Sequence, residues 1–412
     1  MATSFDHLLE LNDKVTPKGY HPGRFVESKD GATGSWCPDK PLPKQPSDDD
    51  IRRAVEVSGF DPNEWTIAND RMSISTCAAI GADGTPDPTL RWYKINLVRK
   101  TKDFIEEADE LLLELIKNRS GKKKKDKSKQ KKVKVPYRLL FITDQHLGKS
   151  ERDGGGSKIL TQRWIDGVEE ALSDGPFKEV HIAMGGDTIE GYVSQNGKNI
   201  ATTDMTLQES MRLAQGLLLD TIMKAHAVCE KVSVSVVPGN HGETTRVQGR
   251  PMRDSYDIMI VANVQDTIDF HNKNNPDDRI NVEFYYPKEN RVDVSFTFGK
   301  SNITLVHGHT FGSGGQEKGA YDWWTKQIVG GQPSSASHIL LAGHFHNWRT
   351  FNMSTDRQVV FGAALETYSA WFEHKGNPRT QSGIMKLDIG YQRFYGIGLC
   401  PSPPEEKELL GL

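Results

Sequence analysis

The feature that most constrains this chain is a set of five short motifs in fixed order. They are Asp144-Gln145-His146, Gly186-Asp187, Gly239-Asn240-His241, His307-Gly308-His309 and Gly343-His344-Phe345-His346. Each follows a short apolar, partly β-branched run, at residues 137–143, 179–184, 232–237, 302–306 and 338–342. Runs of that length and make-up read as buried strands. Helix candidates span 158–172 and 206–229. The second opens on Thr206-x-x-Glu209, a capping box, and puts Met211, Ala214, Leu218 and Ile222 on one face. Strands alternating with helices predict parallel pairing and an α/β core. Residues 281–298 and 358–399 are richer in strands, and Val292, Val294, Phe296 and Phe298 alternate as on a half-buried one. Two stacked sheets flanked by helices are expected. Ligands of open α/β sheets gather at the carboxyl edge, where every motif would lie.

The motif residues suit metal ions. On an extended chain, positions i and i+2 point the same way, so Asp144 and His146 can reach one cation. Gly185-Gly186 lets the backbone turn sharply before Asp187, whose carboxylate can bridge two cations. Pro238-Gly239 ends a strand before Asn240, a neutral oxygen donor. His307, His344 and His346 offer imidazoles, which suit zinc, iron and manganese better than calcium. A lone Gly-Asp is usually a turn, and a lone His usually a hydrogen-bonded structural residue. Five in order point instead to a dinuclear metal hydrolase. Gly148-Lys149-Ser150 looks like the end of a phosphate-binding P-loop, but Thr143 stands where that loop needs its first glycine.

The set resembles the calcineurin-like metallophosphoesterases, whose pattern is D-x-H, G-D, G-N-H, H and G-H-x-H. The resemblance covers residues 137–365. It implies a four-layer α/β/β/α sandwich with both metals at the sheet edge. It implies that Asp144, His146 and His346 hold one metal, that Asn240, His307 and His344 hold the other, and that Asp187 bridges. His309 is an alternative to His307, which is preferred because it directly ends the strand. His241 matches the family's catalytic His. Glu190, three residues after Asp187, has the spacing at which a carboxylate orients that His in the Ser/Thr phosphatase branch. Gly242 stands where the family often has Asp or Glu, and Gly191-Tyr192 replace the Asp-Arg of the Ser/Thr phosphatases, which argues against a protein phosphatase. The implied reaction is phosphodiester hydrolysis. Two cations about 3.5–4 Å apart activate a bridging hydroxide and His241 protonates the leaving oxygen. Manganese is the expected metal, with iron or zinc as alternatives.

Outside the motifs, residues 1–47 lack a sustained period and read as irregular. Residues 48–118 read as a small N-terminal α+β module. Asp49 caps a helix there, a hairpin turns at Asp83-Gly84, and a closing helix runs from 102 to 118. A Lys-rich linker, 119–134, leads into the catalytic domain, 135–400, and a Pro/Glu tail, 401–412. Nine lysines lie between Lys122 and Lys134. Arg246, Arg250 and Arg253 follow the catalytic His, and Tyr321, Trp323, Trp324 and Lys326 lie between the last two motifs. Basic residues interleaved with aromatics can hold a phosphate backbone and stack bases. The expected substrate is therefore DNA, with Arg246, Arg250, Trp323 and Trp324 as contacts along a basic and aromatic cleft rim. A phosphoesterase acting on nucleotides or other small esters is the alternative, with the lysines as a mere tether. A non-catalytic scaffold is the third reading.

The N-terminal Gly59–Trp65 segment is similar to bacteriophage metallophosphoesterases, and the family's repair exonucleases are a more distant parallel. A protein partner or a homo-oligomer is left open. Net charge is −3, so the molecule as a whole is no polycation. The four cysteines are unclustered, which argues against a disulfide scaffold and a cysteine zinc site. No apolar run reaches the roughly 18 residues of a membrane span, and no signal peptide is evident. A cytoplasmic location is expected, in the host if the chain is viral.

Overall fold

The structure, a computed structural model, describes residues 25–28, 31–36, 48–57, 60–63, 65–80, 86–99, 133–150, 156–247, 251–288, 290–312, 314–367 and 380–402. The chain divides into two compact units, Met1–Leu113 and Glu114–Leu412.

Among its described residues, the first unit carries a four-stranded antiparallel sheet and one helix. Strands β1 (Phe25–Ser28), β2 (Gly31–Trp36), β3 (Trp65–Ile80) and β4 (Pro86–Arg99) lie in the order β1-β2-β4-β3. Helix α1 (Asp48–Val57) buries Ala54 and Val55, and Trp65, Ile67 and Leu97 are buried on the sheet. Phe60 packs on Trp65 with ring centroids 4.7 Å apart. β3 and β4 pair as the two arms of the expected hairpin, whose turn at Asp83-Gly84 lies outside the described residues. The irregular reading of residues 1–47 needs correction, because β1 and β2 form a hairpin with Ser28 opposite Gly31. Gly31-Ala32-Thr33-Gly34 offers no apolar alternation. Its pairing rests on backbone bonds to β4, which composition does not report. The expected helix 102–118, the lysines up to Lys132 and the tail from 403 lie outside the described residues.

The second unit has two sheets. The first has the order β15-β14-β5-β6-β7-β8, with β5 (Tyr137–Ile142), β6 (Phe177–Met184), β7 (Cys229–Val236) and β8 (Val282–Tyr285) parallel. Antiparallel β14 (Ile384–Ile389) and β15 (Phe394–Cys400) complete it. The second has the order β12-β13-β11-β10-β9. Its centre, β10 (Ser301–Val306), β11 (Ile339–Ala342) and β13 (Arg357–Phe361), is parallel, and β9 (Asp293–Phe298) and β12 (Arg349–Ser354) run antiparallel at its edges. Leu139, Phe141 and Ala183 of the first sheet share one core with Ile303, Leu305, Ile339, Leu341 and Val360 of the second.

Strand alternation settles what covers the outer faces. In β11, Ile339 and Leu341 enter the shared core, while Leu340 and Ala342 pack with Ala320 and Trp324 of α5 (Gln316–Val329). A strand covered on both sides has no polar face, hence the unbroken Ile-Leu-Leu-Ala. Helices α2 (Ser157–Leu172), α3 (Leu207–His226) and α4 (Tyr256–Asn274) pack against the first sheet. The capping box of α3 is formed. Glu209 N donates to Thr206 Oγ1 at 3.3 Å and Thr206 N to Glu209 Oε2 at 2.6 Å. Among the described residues, no helix is long and apolar enough to cross a membrane.

Register brings the motifs level. Ile142 pairs with Met184 and Met184 with Val236; Val306 pairs with Ala342 and Ala342 with Phe361. Six parallel strands, three in each sheet, thus end at matched heights within their sheet, and the chain leaves every one but β13 directly into a motif.

Candidate metal centre

The backbone at these strand ends is held in a conformation L-residues avoid. Seven non-glycine described residues have φ in the left-handed region, and five are Asp144 (53°), His146 (47°), Asp187 (54°), His344 (73°) and His346 (56°). Each such residue costs roughly 1–2 kcal/mol relative to ordinary backbone. Strain of this kind persists only where the surroundings enforce it, and it clusters at functional sites. The Asp144–His146 and His344–His346 loops share a pattern, with both outer residues left-handed. The loops also touch. A Cβ at Gly343 would run into Thr143 Oγ1 and come within 2.7 Å of Asp144 Oδ2, so the residue before His344 must be glycine.

The side chains form two converging groups. In the first, His146 Nε2 lies 3.2 Å from His346 Nε2, which lies 3.4 Å from Asp144 Oδ1. In the second, His307 Nε2 lies 3.0 Å from Asp187 Oδ2 and 3.2 Å from Asn240 Oδ1, and His344 joins it. Five of these residues are fixed from behind. His307 Nδ1 donates to Gly185 O at 2.8 Å, leaving the Nε2 lone pair facing the group. His146 Nδ1 lies 2.8 Å from Glu190 Oε2, and His346 Nδ1 3.0 Å from Glu366 Oε1. Thr143 Oγ1 donates to Asp144 Oδ2 at 2.7 Å, and His241 N to Asp187 Oδ1 at 2.6 Å. Imidazoles and carboxylates braced on their outer atoms, with inner atoms converging, are what a bound divalent cation requires. The donor set fits divalent cations.

Electrostatics point the same way. Burial opposes ionisation of Asp144, yet the charge on His346 holds its carboxyl well below the usual carboxylate range. Asp187 behaves alike beside His307. Burial opposes protonation of His346 and His307, but Asp144 and Glu366 lift the former to about 10, and Asp187 lifts the latter to about 9. Burial, followed by the His307 charge, pushes His344 down to about 4. Without a cation, the buried carboxylates draw protons onto the imidazoles, and those protons must leave when a metal binds.

His241 and Glu190 stand beside the metal groups. His241 Nδ1 lies 3.1 Å from Glu190 Oε2, and its ring meets His146 edge-on with centroids 4.6 Å apart. Burial lowers the His241 pKa, but Asp187 and Glu190 outweigh it and the net shift is upward. The sequence reading assigned Glu190 to His241 alone. One oxygen of Glu190 serves both His146 and His241, and the other accepts from Asn199 Nδ2 at 2.7 Å. His309 belongs to neither ligand group.

The expected substrate contacts fare differently. Trp324 is fully buried under β10, β11 and β13, and its Nε1 donates to Ser334 O at 2.9 Å. It has no face for a base, and that expectation is corrected. Helical spacing on α5 turns Trp324 into the sheet, which composition alone could not indicate. Trp323 packs partly against Phe311, with centroids 5.6 Å apart. Arg246 is exposed and paired with Glu243 at 2.9 Å, and Arg250 lies outside the described residues.

Several residues of the site carried no sequence signal. Glu366, after β13, also meets Lys149 Nζ at 2.7 Å. Asp257, in the first turn of α4, is fully buried. Its Oδ1 accepts from Thr188 N and its Oδ2 from Gly239 N, each at 2.9 Å. One carboxylate thereby ties the Asp187 loop to the Asn240 loop. It also accounts for Gly242, since a Cβ there would run into Asp257 Oδ2.

No family model matches the chain, and no curated protein matches it. Among solved structures, Vps29 of Entamoeba histolytica complexed with zinc is 15% identical, with 62% of this chain and 88% of that one covered at a TM-score of 0.29. Vacuolar protein sorting 29 of Cryptosporidium parvum is 11% identical, covering 64% and 97% at 0.31. A "predicted phosphoesterase" of Streptococcus pneumoniae is 11% identical, covering 61% and 83% at 0.27. Likenesses this distant carry neither fold nor chemistry to this chain.

Proposed function

We propose that the second unit is a metal-dependent phosphoesterase with the four-layer architecture of the calcineurin-like family, and that it cleaves phosphodiester bonds in DNA. The observation that carries this reading is the pair of converging donor groups, with His146, His307 and His346 braced on their outer nitrogens. Asp144, His146 and His346 would hold one divalent cation, Asn240, His307 and His344 a second, and Asp187 both. Manganese is the first candidate, with iron or zinc next. When bound, such ions supply an activated water and positive charge for the phosphate oxygens.

The chain's own residues complete the chemistry. His241 keeps Nδ1 on Glu190, which leaves Nε2 to donate a proton to the departing oxygen. Burial opposes its protonation, but the carboxylates of Asp187 and Glu190 outweigh that and favour the protonated ring. Asn199 and Glu190 fix the ring's orientation. DNA as substrate rests on the lysines between Lys122 and Lys134, whose phosphate contacts would make affinity fall with salt.

The test incubates the purified chain with Mn²⁺ and end-labelled single- and double-stranded DNA, alongside small chromogenic phosphodiesters and phosphomonoesters. Cleavage of DNA that disappears in Asp187→Asn and weakens with salt supports the full reading. Turnover of the small esters with DNA untouched moves the substrate to nucleotides or other small phosphate esters. Metal binding with no turnover of any ester refutes the enzyme and leaves a metal-binding scaffold.

A further inference from the structure

The Gly148-Lys149-Ser150 run, which ends like a phosphate loop in sequence, turns back into the protein. Lys149 N donates to His146 O at 2.9 Å and Ser150 N to Thr202 O at 2.7 Å, so the backbone folds over tightly just after a ligand residue. Gly148 permits this with φ at 98°. The Lys149 side chain is 8% exposed, and its ammonium meets both oxygens of Glu366, Oε1 at 3.0 Å and Oε2 at 2.7 Å. Glu366 is 5% exposed, and its Oε1 lies 3.0 Å from His346 Nδ1. The backbone that delivers Glu366 is fastened to the same edge. Leu365 N donates to Asp144 O at 3.3 Å, Gly383 N to Ala364 O at 3.0 Å, and Arg163 Nη1 to Leu365 O.

Three ligand histidines are thus braced in three ways. His307 leans on the Gly185 carbonyl, which is part of the backbone. His146 leans on Glu190, whose other oxygen is held by Asn199. His346 leans on Glu366, a side chain with its own rotatable bonds, and a lysine grips both of its oxygens. We propose that Lys149 is a positioning residue, which through Glu366 fixes the His346 ring and so sets how tightly the Asp144, His146 and His346 group holds a divalent cation. The inference rests on the metal-centre reading and is independent of the substrate. A carboxylate held at both oxygens presents a fixed edge to Nδ1. An imidazole that gives its Nδ1–H to a fixed acceptor keeps the Nε2 lone pair aimed at the cation. A buried carboxylate stripped of its ammonium seeks other donors, and the ring it braces can then swing. Lys149 acts on the ligand set, and its ammonium is not a substrate contact.

The test titrates Mn²⁺ by calorimetry into the full chain, freed of metal, as the parent, Lys149→Met, Glu366→Gln and the double variant. Lys149→Met should weaken Mn²⁺ binding by roughly 10–100-fold. Glu366→Gln should do the same, because an amide has one acceptor oxygen for two donors. The double variant should bind no more weakly than the weaker single, since the two residues act as one unit. The visible absorption of bound Co²⁺ should change shape in Lys149→Met, the mark of a displaced ligand. Unmoved Mn²⁺ affinity in Lys149→Met, or losses that add in the double variant, overturns the proposal. So does a raised KM for a chromogenic phosphodiester with metal affinity intact, which would make Lys149 a substrate contact. If Lys149→Met fails to fold, the near-isosteric Glu366→Gln decides, with unmoved affinity again overturning the proposal. A parent that binds no divalent cation sinks the metal-centre reading itself. A parent that binds Mn²⁺ no better than Lys149→Met sinks only the role of the lysine.

Discussion

His181 and His307 are equally and completely buried, yet their environments drive them to opposite charge states. His181 lies between the sheets. Its ring stacks on Phe296 with centroids 4.1 Å apart, and its nitrogens reach Ser233 Oγ at 2.7 Å and Ser235 Oγ at 2.9 Å. Burial with only neutral partners pushes its pKa down to about 3. His307, at the sheet edge, meets Asp187 and is lifted to about 9. Depth in the protein therefore does not decide whether a histidine holds charge. The partner decides, and among the described residues the groups of converging imidazoles and carboxylates lie where the strands end. One region is a satisfied core histidine, and the other is a reservoir of negative charge braced for cations.

The largest expected effect comes from removing that negative charge. Asp187→Asn should abolish metal binding and reduce turnover to background, measured by calorimetric metal titration and ester hydrolysis; a variant that still bound metal normally would show that the edge does not depend on this carboxylate. Next, His241→Ala should leave metal binding intact and lower turnover of esters with poor leaving groups by about 10²–10⁴-fold. Full activity on such an ester would remove His241 from the reaction.

A smaller effect is expected at Asp257, which touches no ligand atom. Asp257→Asn should weaken metal affinity by roughly 10–100-fold, because an amide can accept only one of the two backbone N–H bonds. Excess metal should restore turnover while the melting temperature barely moves. Loss of the fold instead would make Asp257 a structural residue only.

The smallest effect separates the two histidines by sign. With His181 depressed from its ordinary 6.5 to about 3, the unfolded chain binds the extra proton. Its contribution to stability is present above pH 6.5 and declines as pH falls, by up to roughly 1.4 kcal/mol per pH unit. His307 in the metal-free protein is raised, so its contribution is present below pH 6.5 and is lost as pH rises through about 9. Urea unfolding of chelated protein across this range should show both limbs. Replacing His181 by Phe together with Ser233→Ala and Ser235→Ala should flatten only the acid limb.

The legible part of the molecule was the part where function and strand termination coincide. Asp144, His146, Asp187, Asn240, His307, His344 and His346 each lie within a few residues of an apolar run, so period and composition located them together. Glu366 and Asp257 reach the same place from elsewhere in the chain, through β13 and α4, and nothing local marks them. Helix α4 escaped notice because Ile258, Ile260, Val261, Val264 and Ile268 are β-branched, which lowers helix propensity although their burial follows helical spacing. Trp324 was misread because an aromatic beside lysines and glycines looks the same in sequence whether a helix turns it outward or into a sheet.

The left-handed backbone at the ligands carries a consequence for how this chain can be altered. At His344, where φ is 73°, glycine would adopt the same conformation without a side-chain penalty. A chain with His344→Gly should therefore relax locally while losing a metal ligand. Thermal robustness and chemistry pull on that position in opposite directions. Selection for a sturdier protein alone would erode this edge first.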